Sequence, residues 1–307
     1  MSAFLREVAD CLRRLPDKLA FGGMLLAWVA LFHFWGNITL GYVKTESLFG
    51  WMNFIYAASP DDEYGRWIPL VVLGLCWWKR RELLNAVRGS WWPAIVLVLL
   101  GLGLHLLGYR VQQTRLSIVG FFLGLYGFCG MLWGAEFLRR SFYPMWLFIF
   151  CVPLGTESDR ITSPLRILAT YITTGLANTV LGLDVWRDGA RIFDPTGRYQ
   201  YEVAAACSGI RSLTAITLCA VVYAMATFRT GWRRGVVMLS AVPLAVAGNV
   251  FRLLSIIVGA ELFGQEGGNY VHDSAWLSLL PYVPAILGLL ALGWLLREPD
   301  MVKENDT

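Results

Sequence analysis

The amino-acid sequence predicts an all-α, polytopic membrane protein with about eight transmembrane helices. The chain has 307 residues, of which 56% are hydrophobic and only 16% are charged, whereas soluble domains average about 25% charged residues. The apolar residues also form long uninterrupted blocks, and a helix needs ~20 of them to cross a hydrocarbon layer about 30 Å thick. We therefore expect a single membrane domain over residues 1–307, with N-terminal helices in 1–147, a core in 148–296 and a cytoplasmic tail in 297–307.

The N-terminal segment resembles the basic start of a signal peptide, because four of its first 18 residues are Arg or Lys. The apolar run that follows, residues 19–35, has no small-residue cleavage site, and further apolar blocks come after it. We therefore expect a retained first helix. The net charge of +4 does not indicate a nucleic-acid partner, because the basic residues lie at helix ends, as membrane orientation requires.

The other predicted spans follow the apolar blocks. They are residues 67–78, 91–108, 116–137, 142–154, 207–228, 235–258 and 276–296. Basic clusters follow the second, fourth and sixth spans, so the positive-inside rule places those loops and both termini in the cytoplasm. The remaining loops then face outward, and we expect a multi-pass protein of the inner membrane.

Residues 161–183 are also long enough to cross, but a ninth span would reverse the sidedness of the second half. Their polar residues gather on one helical face. These are Arg166, Thr170, Thr173, Thr174 and Asn178. We expect an amphipathic helix that lies at the outer interface or docks in the bundle.

A small β-hairpin is expected next, because two β-prone runs, residues 185–193 and 198–203, flank the turn sequence Asp-Pro-Thr-Gly at 194–197. The hairpin would deliver the chain to Cys207 from the outer side. It could also pair with an extended peptide by adding a strand.

Three polar residues converge on the predicted outer face. Cys207 begins the sixth span, Arg252 lies late in the seventh, and His272 precedes the eighth. A rise of 1.5 Å per residue carries the chain about 26 Å from Gly235 to Arg252, from the cytoplasmic edge to near the outer edge. All three residues therefore lie at one predicted depth.

These residue types suit acyl transfer through a thioester. A helix start or a nearby cation lowers the pKa of a thiol such as Cys207. His272 could act as general base and then return a proton to the leaving amine. Arg252 could hold the oxyanion of the tetrahedral intermediate.

Each of the three also has a structural alternative. A buried Cys usually behaves as a small hydrophobic residue. Arg252 could extend toward the interface or pair with Glu261. A loop His such as His272 is often a solvated surface residue.

The supporting candidates carry alternatives too. Asn249 could orient Arg252 or only satisfy backbone groups. Asp273 could orient the neighbouring imidazole or cap the eighth helix. Ser208 could be a rival nucleophile, or its hydroxyl could shape the turn. The sequence has no Cys-x-x-Cys and no His at ligand spacing from a Cys, so neither a metal nor a cofactor is expected.

Several of these residues belong to motifs that occur in order between residues 148 and 276. The motifs are Val-Pro-Leu-Gly at 152–155, Pro-Leu-Arg at 164–166, Ala-Cys-Ser-Gly-Ile-Arg-Ser-Leu at 206–213, Asn-Val-Phe-Arg at 249–252 and His-Asp at 272–273. This set resembles the exosortase/archaeosortase family of membrane cysteine transpeptidases. The third motif adds Arg211 to the supporting residues.

The resemblance implies a Cys, Arg and His active site at Cys207, Arg252 and His272, on an all-helical fold that faces the outside of the inner membrane. It also implies a substrate class: secreted proteins that end in a short motif, a transmembrane helix and a basic tail, such as PEP-CTERM proteins. The chain has Glu-Tyr-Gly at 63–65, where the family often has His-Gly, and Trp276, where it often has Gly. The subfamily and the signal motif therefore stay open.

The sequence also leaves two other functions open. A non-enzymatic component of polysaccharide export or transport would use intramembrane polar residues to line a path, but the chain has few intramembrane acids and no internal repeat. A plain protease would resolve the thioester with water instead of an amine, and the sequence does not separate hydrolysis from transfer.

Overall fold

The computed structural model describes residues 3–37, 43–59, 61–155, 157–202, 210–274, 276–279 and 282–297. The chain divides into two compact units, Met1–Gly155 and Thr156–Thr307. The division falls close to the expected boundary between the N-terminal helices and the core at residue 147. The single membrane domain stays a prediction.

The regular structure described in the first unit is entirely helical. Its helices are α1 (Ala3–Arg14), α2 (Lys18–Trp35), α3 (Leu48–Ala58), α4 (Ile68–Trp78), α5 (Arg80–Asn85), α6 (Ile95–Val111), α7 (Thr114–Trp133) and α8 (Ala135–Trp146). Short 3-10 turns cover Glu63–Arg66, Trp92–Ala94 and Leu147–Cys151.

The second unit combines helices with a small sheet. Its elements are α9 (Glu157–Thr179), β1 (Trp186–Asp188), β2 (Arg191–Phe193), β3 (Gln200–Glu202), α10 (Ile210–Thr227), α11 (Gly231–Asp273) and α12 (Tyr282–Leu295), with a 3-10 turn at Leu277–Leu279.

The apolar helices make the chain a multi-pass, all-α membrane protein. Four described segments are long and apolar enough to cross a bilayer: Lys18–Trp35, Trp92–Val111, Thr114–Trp133 and Gly231–Asp273. Four shorter apolar helices cover Leu48–Ala58, Ile68–Trp78, Ser212–Thr227 and Tyr282–Leu295. The prediction of about eight crossings is therefore not confirmed, because these four are shorter than a span of ~20 residues.

Two parts of the first unit differ from the prediction. The expected span at 142–154 is instead the C-terminal half of α8 followed by a 3-10 turn. Gly134, with φ 97°, ends α7, and α8 begins directly after it at Ala135. Helix α3 lies in a region that was expected to be an outer loop.

The buried carboxylate of Asp62 accepts hydrogen bonds from the C-terminal end of this unit. Asp62 is only 3% exposed, and its two oxygens accept the backbone N–H groups of Leu154 (2.8 Å) and Gly155 (3.2 Å). The Tyr56 hydroxyl donates to the Cys151 carbonyl in the same region. Asp62, in a region that was expected to be an outer loop, therefore has a structural role.

Helix α9 is amphipathic as predicted, and the threonines of its polar face point inward, whereas Asn178 is exposed. Thr170, Thr173 and Thr174 are buried, while Tyr171 and Val180 are exposed. The Thr170 and Thr174 hydroxyls donate to backbone carbonyls one turn earlier, which satisfies them inside the protein. Of the two expected placements, the structure supports docking against the rest of the unit.

The sheet contains the predicted hairpin and one additional strand. The strand order is β1-β2-β3, and both pairings are antiparallel. Strands β2 and β3 flank the predicted turn, in which the N–H of Gly197 donates to the Asp194 carbonyl (2.9 Å). The expected single strand at 185–193 is wrong, because Gly189, at φ 58°, reverses the chain between β1 and β2.

Within the described residues, two clusters of buried side chains stabilise the second unit. One joins α9 and the sheet to α11 through residues such as Ala177, Ile192 and Leu253. The other joins α10, α11 and α12 through residues such as Ala220 and Ala241. Helix α11 thus has two packed faces, one toward the sheet and one toward its helical neighbours.

Candidate active site

The predicted nucleophile lies outside the described part of the chain. Cys207 and Ser208 belong to residues 203–209, and the side chain of Arg211 is likewise outside the description. The structure does place the elements on both sides of this segment. Strand β3 ends at Glu202, and α10 begins at Ile210, three residues after Cys207.

Helices α10 and α11 form an antiparallel pair. Residues 228–230 join them, and such a short connection makes the two helices antiparallel neighbours. Their contact uses small residues four apart on each helix. These are Ala220 and Ala224 on α10, and Ala241 and Ala245 on α11. Both helices rise 1.5 Å per residue, so Ile210 and Asn249 lie at similar heights, about 27 Å from the connection.

Arg252 lies on the face of α11 that packs against α10 and α12. It follows Ala245 by two helical turns, and residues seven apart share a helix face. Ala245 belongs to the cluster formed with α10 and α12. The guanidinium therefore lies on the side of α11 that faces the helix beginning just after Cys207.

The Nε atom of Arg252 is buried and has no hydrogen-bond partner among the described residues. Buried polar atoms are nearly always bonded, so such an atom calls for a ligand or a function. The alternative pairing with Glu261 is wrong, because Glu261 accepts from Arg198 instead (2.5 Å). Asn249, one turn before Arg252, is buried as well.

A bend brings His272 back over the same face of α11. The helix has one non-helical residue, Gly264, with φ 71° and ψ −168°. Beyond it the chain returns, so that a Cβ placed on Gly259 would lie 2.9 Å from Cγ2 of Val271 and 3.2 Å from the carbonyl oxygen of Gly267. Gly259 follows Arg252 by seven residues and so shares its face. The expected loop before the eighth span is therefore mostly a returning helix.

The His272 imidazole is oriented by its neighbour. Its Nδ1 lies 2.7 Å from Oδ1 of Asp273 and donates to that carboxylate, which fixes the tautomer of the ring. The alternative role for Asp273, capping the eighth helix, is wrong, because α12 begins only at Tyr282. The structure thus supports the orienting role.

A junction between the sheet and α11 was missed by the sequence reasoning. Gln265, the residue after the bend, bonds to the backbone of Gln200 in β3, and the Tyr201 hydroxyl donates to the Gln265 carbonyl (2.9 Å). The ion pair of Arg198 and Glu261 lies beside it. The glycines at 259, 264, 267 and 268 were the available signal, because a cluster of glycines marks close backbone approach.

Burial raises the pKa of two tyrosines in this junction, Tyr199 and Tyr201. Tyr199 is 2% exposed, and the loss of solvent, with the negative charge of Glu261 as a smaller cause, raises the pKa of its hydroxyl to about 12. The phenol is therefore neutral at physiological pH and does not compete as a base.

The chain matches one known family. Residues 51–287 match the family described as transmembrane exosortase. The chain belongs to the transmembrane exosortase family. The match covers most of the chain, including α10, α11 and the region of His272. No curated protein and no solved structure matches this exosortase-family chain.

Among the described residues, no group of three or more His, Cys, Asp or Glu side chains is arranged to hold a metal ion.

Proposed function

We propose that this exosortase-family protein is a membrane cysteine transpeptidase that cleaves C-terminal sorting signals of secreted proteins through a thioester. The proposal is carried by one observation: Ala245, Arg252 and Gly259 form a single stripe on α11. Helix α10 packs at the first position, Arg252 with its unpartnered Nε lies at the second, and the segment bearing His272 returns at the third.

Chain geometry limits how far Cys207 can lie from this stripe. Three residues span at most about 10 Å, which bounds the distance from Ile210, the first residue of α10, to Cys207. Arg252 lies three residues beyond Asn249, or about 4.5 Å farther along α11 than the level of Ile210. The Cys and the Arg are therefore expected at similar heights.

The reaction then assigns one role to each group. His272 takes the thiol proton of Cys207, and the thiolate sulfur attacks the carbonyl carbon of the scissile peptide bond. Arg252 donates hydrogen bonds to the oxyanion that forms. The C–N bond breaks as His272 gives its proton to the departing amine, and Asp273 holds the imidazole in the required tautomer.

The thioester is resolved by a second nucleophile. Attack of an amine transfers the new C-terminus to an acceptor, and attack of water releases it. The orphaned Nε of Arg252 remains available to the second oxyanion, so the same site serves both half-reactions. Mass spectrometry of the mature substrate's C-terminus separates these outcomes, because an acceptor adds mass and water leaves a free carboxylate.

The proposed location is the outer face of the inner membrane. A sorting signal that spans the bilayer presents its junction at that boundary, where a site at the far end of α10 and α11 would meet it. A reporter fused after Arg234 should be cytoplasmic, and one inserted within residues 264–270 should be outside. The reverse result would place His272 on the wrong side and refute the location.

The activity is tested by comparing the C-terminal peptides of secreted proteins in host cells that carry the wild type or Cys207→Ala. We expect a set of proteins that lose their C-terminal helix only with the wild type. Cys219→Ala is the matched control, because Cys219 lies in α10, the helix that follows Cys207 in the chain. Identical C-termini in cells with the wild type and Cys207→Ala would refute the proposal.

A further inference from the structure

At the outer edge of β3, the backbone N–H and C=O of Gln200 are hydrogen-bonded to a side chain and not to another strand. The N–H of Asp194 donates to the Tyr199 carbonyl (3.1 Å), so the backbone groups of Tyr199 and Tyr201 face β2. Because these directions alternate along an antiparallel strand, the N–H and C=O of Gln200 point away from the sheet. Both groups are free of β2 and open to another partner.

The side-chain amide of Gln265 fills this position. Its Oε1 accepts the Gln200 N–H at 2.9 Å, and its Nε2 donates to the Gln200 carbonyl at 3.4 Å. Nε2 also lies 3.2 Å from Oδ1 of Asn269, which helps to fix the orientation of the amide. The amide thus imitates one residue of a neighbouring strand, and an added strand cannot use the Gln200 pair while Gln265 is in place.

Packing reinforces the same contact. The Tyr201 hydroxyl donates to the Gln265 carbonyl (2.9 Å), and a Cβ on Gly268 would overlap this hydroxyl. Position 268 therefore needs a residue without a side chain. Together with the ion pair between Arg198 and Glu261, these contacts fasten the hairpin to both sides of the bend at Gly264.

The junction lies a few residues before both Cys207 and His272 in the sequence. Cys207 follows Tyr201 by six residues, and His272 follows Gln265 by seven. We propose that Gln265 is a positioning residue, which sets the strand leading to Cys207 in register with the returning segment that carries His272. This inference rests on the proposed function, because it assumes that Cys207 and His272 react together.

Replacement of Gln265 should reduce turnover more than substrate affinity. In Gln265→Ala the Gln200 pair loses its partner and the two segments shift, and a displacement of 1 Å can cost about 100-fold in rate. We expect kcat to fall roughly 30- to 100-fold with KM changed less than threefold. Glu266→Ala is the matched control, since Glu266 is the next residue and is exposed, and it should retain wild-type kcat.

The pH dependence of Gln265→Glu activity distinguishes a positioning role from a purely structural one. Its carboxylate cannot donate to the Gln200 carbonyl, but the protonated acid can. The protonated fraction of a Glu rises about tenfold for each unit that the pH falls toward its pKa of about 4.3. The activity of Gln265→Glu relative to the wild type should therefore rise as the pH is lowered from 8 to 5, and a constant ratio would overturn the inference.

A second measurement does not depend on turnover. In a chain whose other five cysteines are replaced, the rate of Cys207 alkylation against pH reports the pKa of its thiol. Gln265→Ala should raise this pKa, because the proposed alignment of the thiolate with Arg252 and protonated His272 is lost, and Glu266→Ala should not. If Cys207→Ala is inactive while Gln265→Ala matches the wild type in both measurements, the inference fails and the proposed function stands. If Cys207→Ala is active, the proposed function fails, and the alkylation profile alone decides whether Gln265 sets the environment of Cys207.

Discussion

Replacing Gly264 by alanine should straighten the bend that returns His272 toward Arg252. Gly264 has φ 71° and ψ −168°, a region that only glycine occupies readily, and a side chain there costs about 1–3 kcal/mol. A cost near 2 kcal/mol changes the ratio of bent to continuous helix about 30-fold, since each 1.4 kcal/mol is tenfold. We therefore expect Gly264→Ala to lose most of its processing activity. The matched control is Gly235→Ala in the same helix, where a Cβ would meet no atom within 4 Å and where alanine favours the helix by up to ~1 kcal/mol.

The geometry of this change can be measured directly. Spin labels on Leu239→Cys and Tyr270→Cys, two exposed positions of α11, would be about 46 Å apart in a continuous helix and about 28 Å apart if the last segment reversed fully. In a background without other cysteines, the unmodified helix should give a distance well below 46 Å, and Gly264→Ala should shift the distribution toward it. A short distance and full processing in Gly264→Ala would refute the role of the bend.

Three further predictions concern single side chains. Arg252→Lys keeps the charge but loses the planar fork, so processing should fall severely while membrane insertion is unchanged; wild-type activity in Arg252→Ala would show that the Arg is structural. Asp273→Asn should lower kcat at least tenfold, because His272 loses the acceptor that fixes its tautomer, and an unchanged kcat would exclude the orienting role. A hydrogen bond from Thr196 is the main cause that lowers the pKa of Asp194, so this carboxylate stabilises the fold above about pH 4 and the contribution is lost as the pH falls through the folded pKa. Thr196→Ala should therefore reduce stability at pH 7 more than at pH 3, as followed by thermal unfolding, and equal losses at both pH values would contradict this linkage.

Composition was sufficient to predict the membrane class, but not the number of crossings. Long apolar helices such as α2 and α7 lie within a few residues of their predicted positions, because about 20 apolar residues have few alternatives. The ends of the shorter apolar helices could not be predicted from hydropathy alone. Gly134 starts α8 early and Gly189 splits a predicted strand, and both act through backbone conformation that hydropathy does not register.

The two faces of α9 show why periodicity alone does not orient a helix. The pattern of Arg166 and the threonines predicted one polar face, and the structure has it. In water such a face lies outside, whereas in a membrane the apolar face meets lipid and the polar face is satisfied inside the protein. The sequence therefore predicted that α9 has a polar and an apolar face, but not which of them points toward the protein interior.

The candidate site was predicted in part. The depth argument placed Arg252 near the end of the α10–α11 pair, and the structure puts it on the face toward α10. The bend at Gly264 and the junction at Gln265 were missed, because a run rich in glycine resembles a loop. Cys207, Ser208 and the Arg211 side chain lie outside the described residues, so their roles stay predictions.

The covalent intermediate is the most direct test of the proposed mechanism. Acid quenching of the purified protein during turnover, followed by mass spectrometry of the peptide that contains Cys207, should reveal a substrate adduct that hydroxylamine removes, as expected of a thioester. The adduct should persist in Cys219→Ala and be absent in Cys207→Ala, together with all processing. Continued processing in Cys207→Ala, or an adduct on Ser208 in the wild type, would contradict the cysteine mechanism.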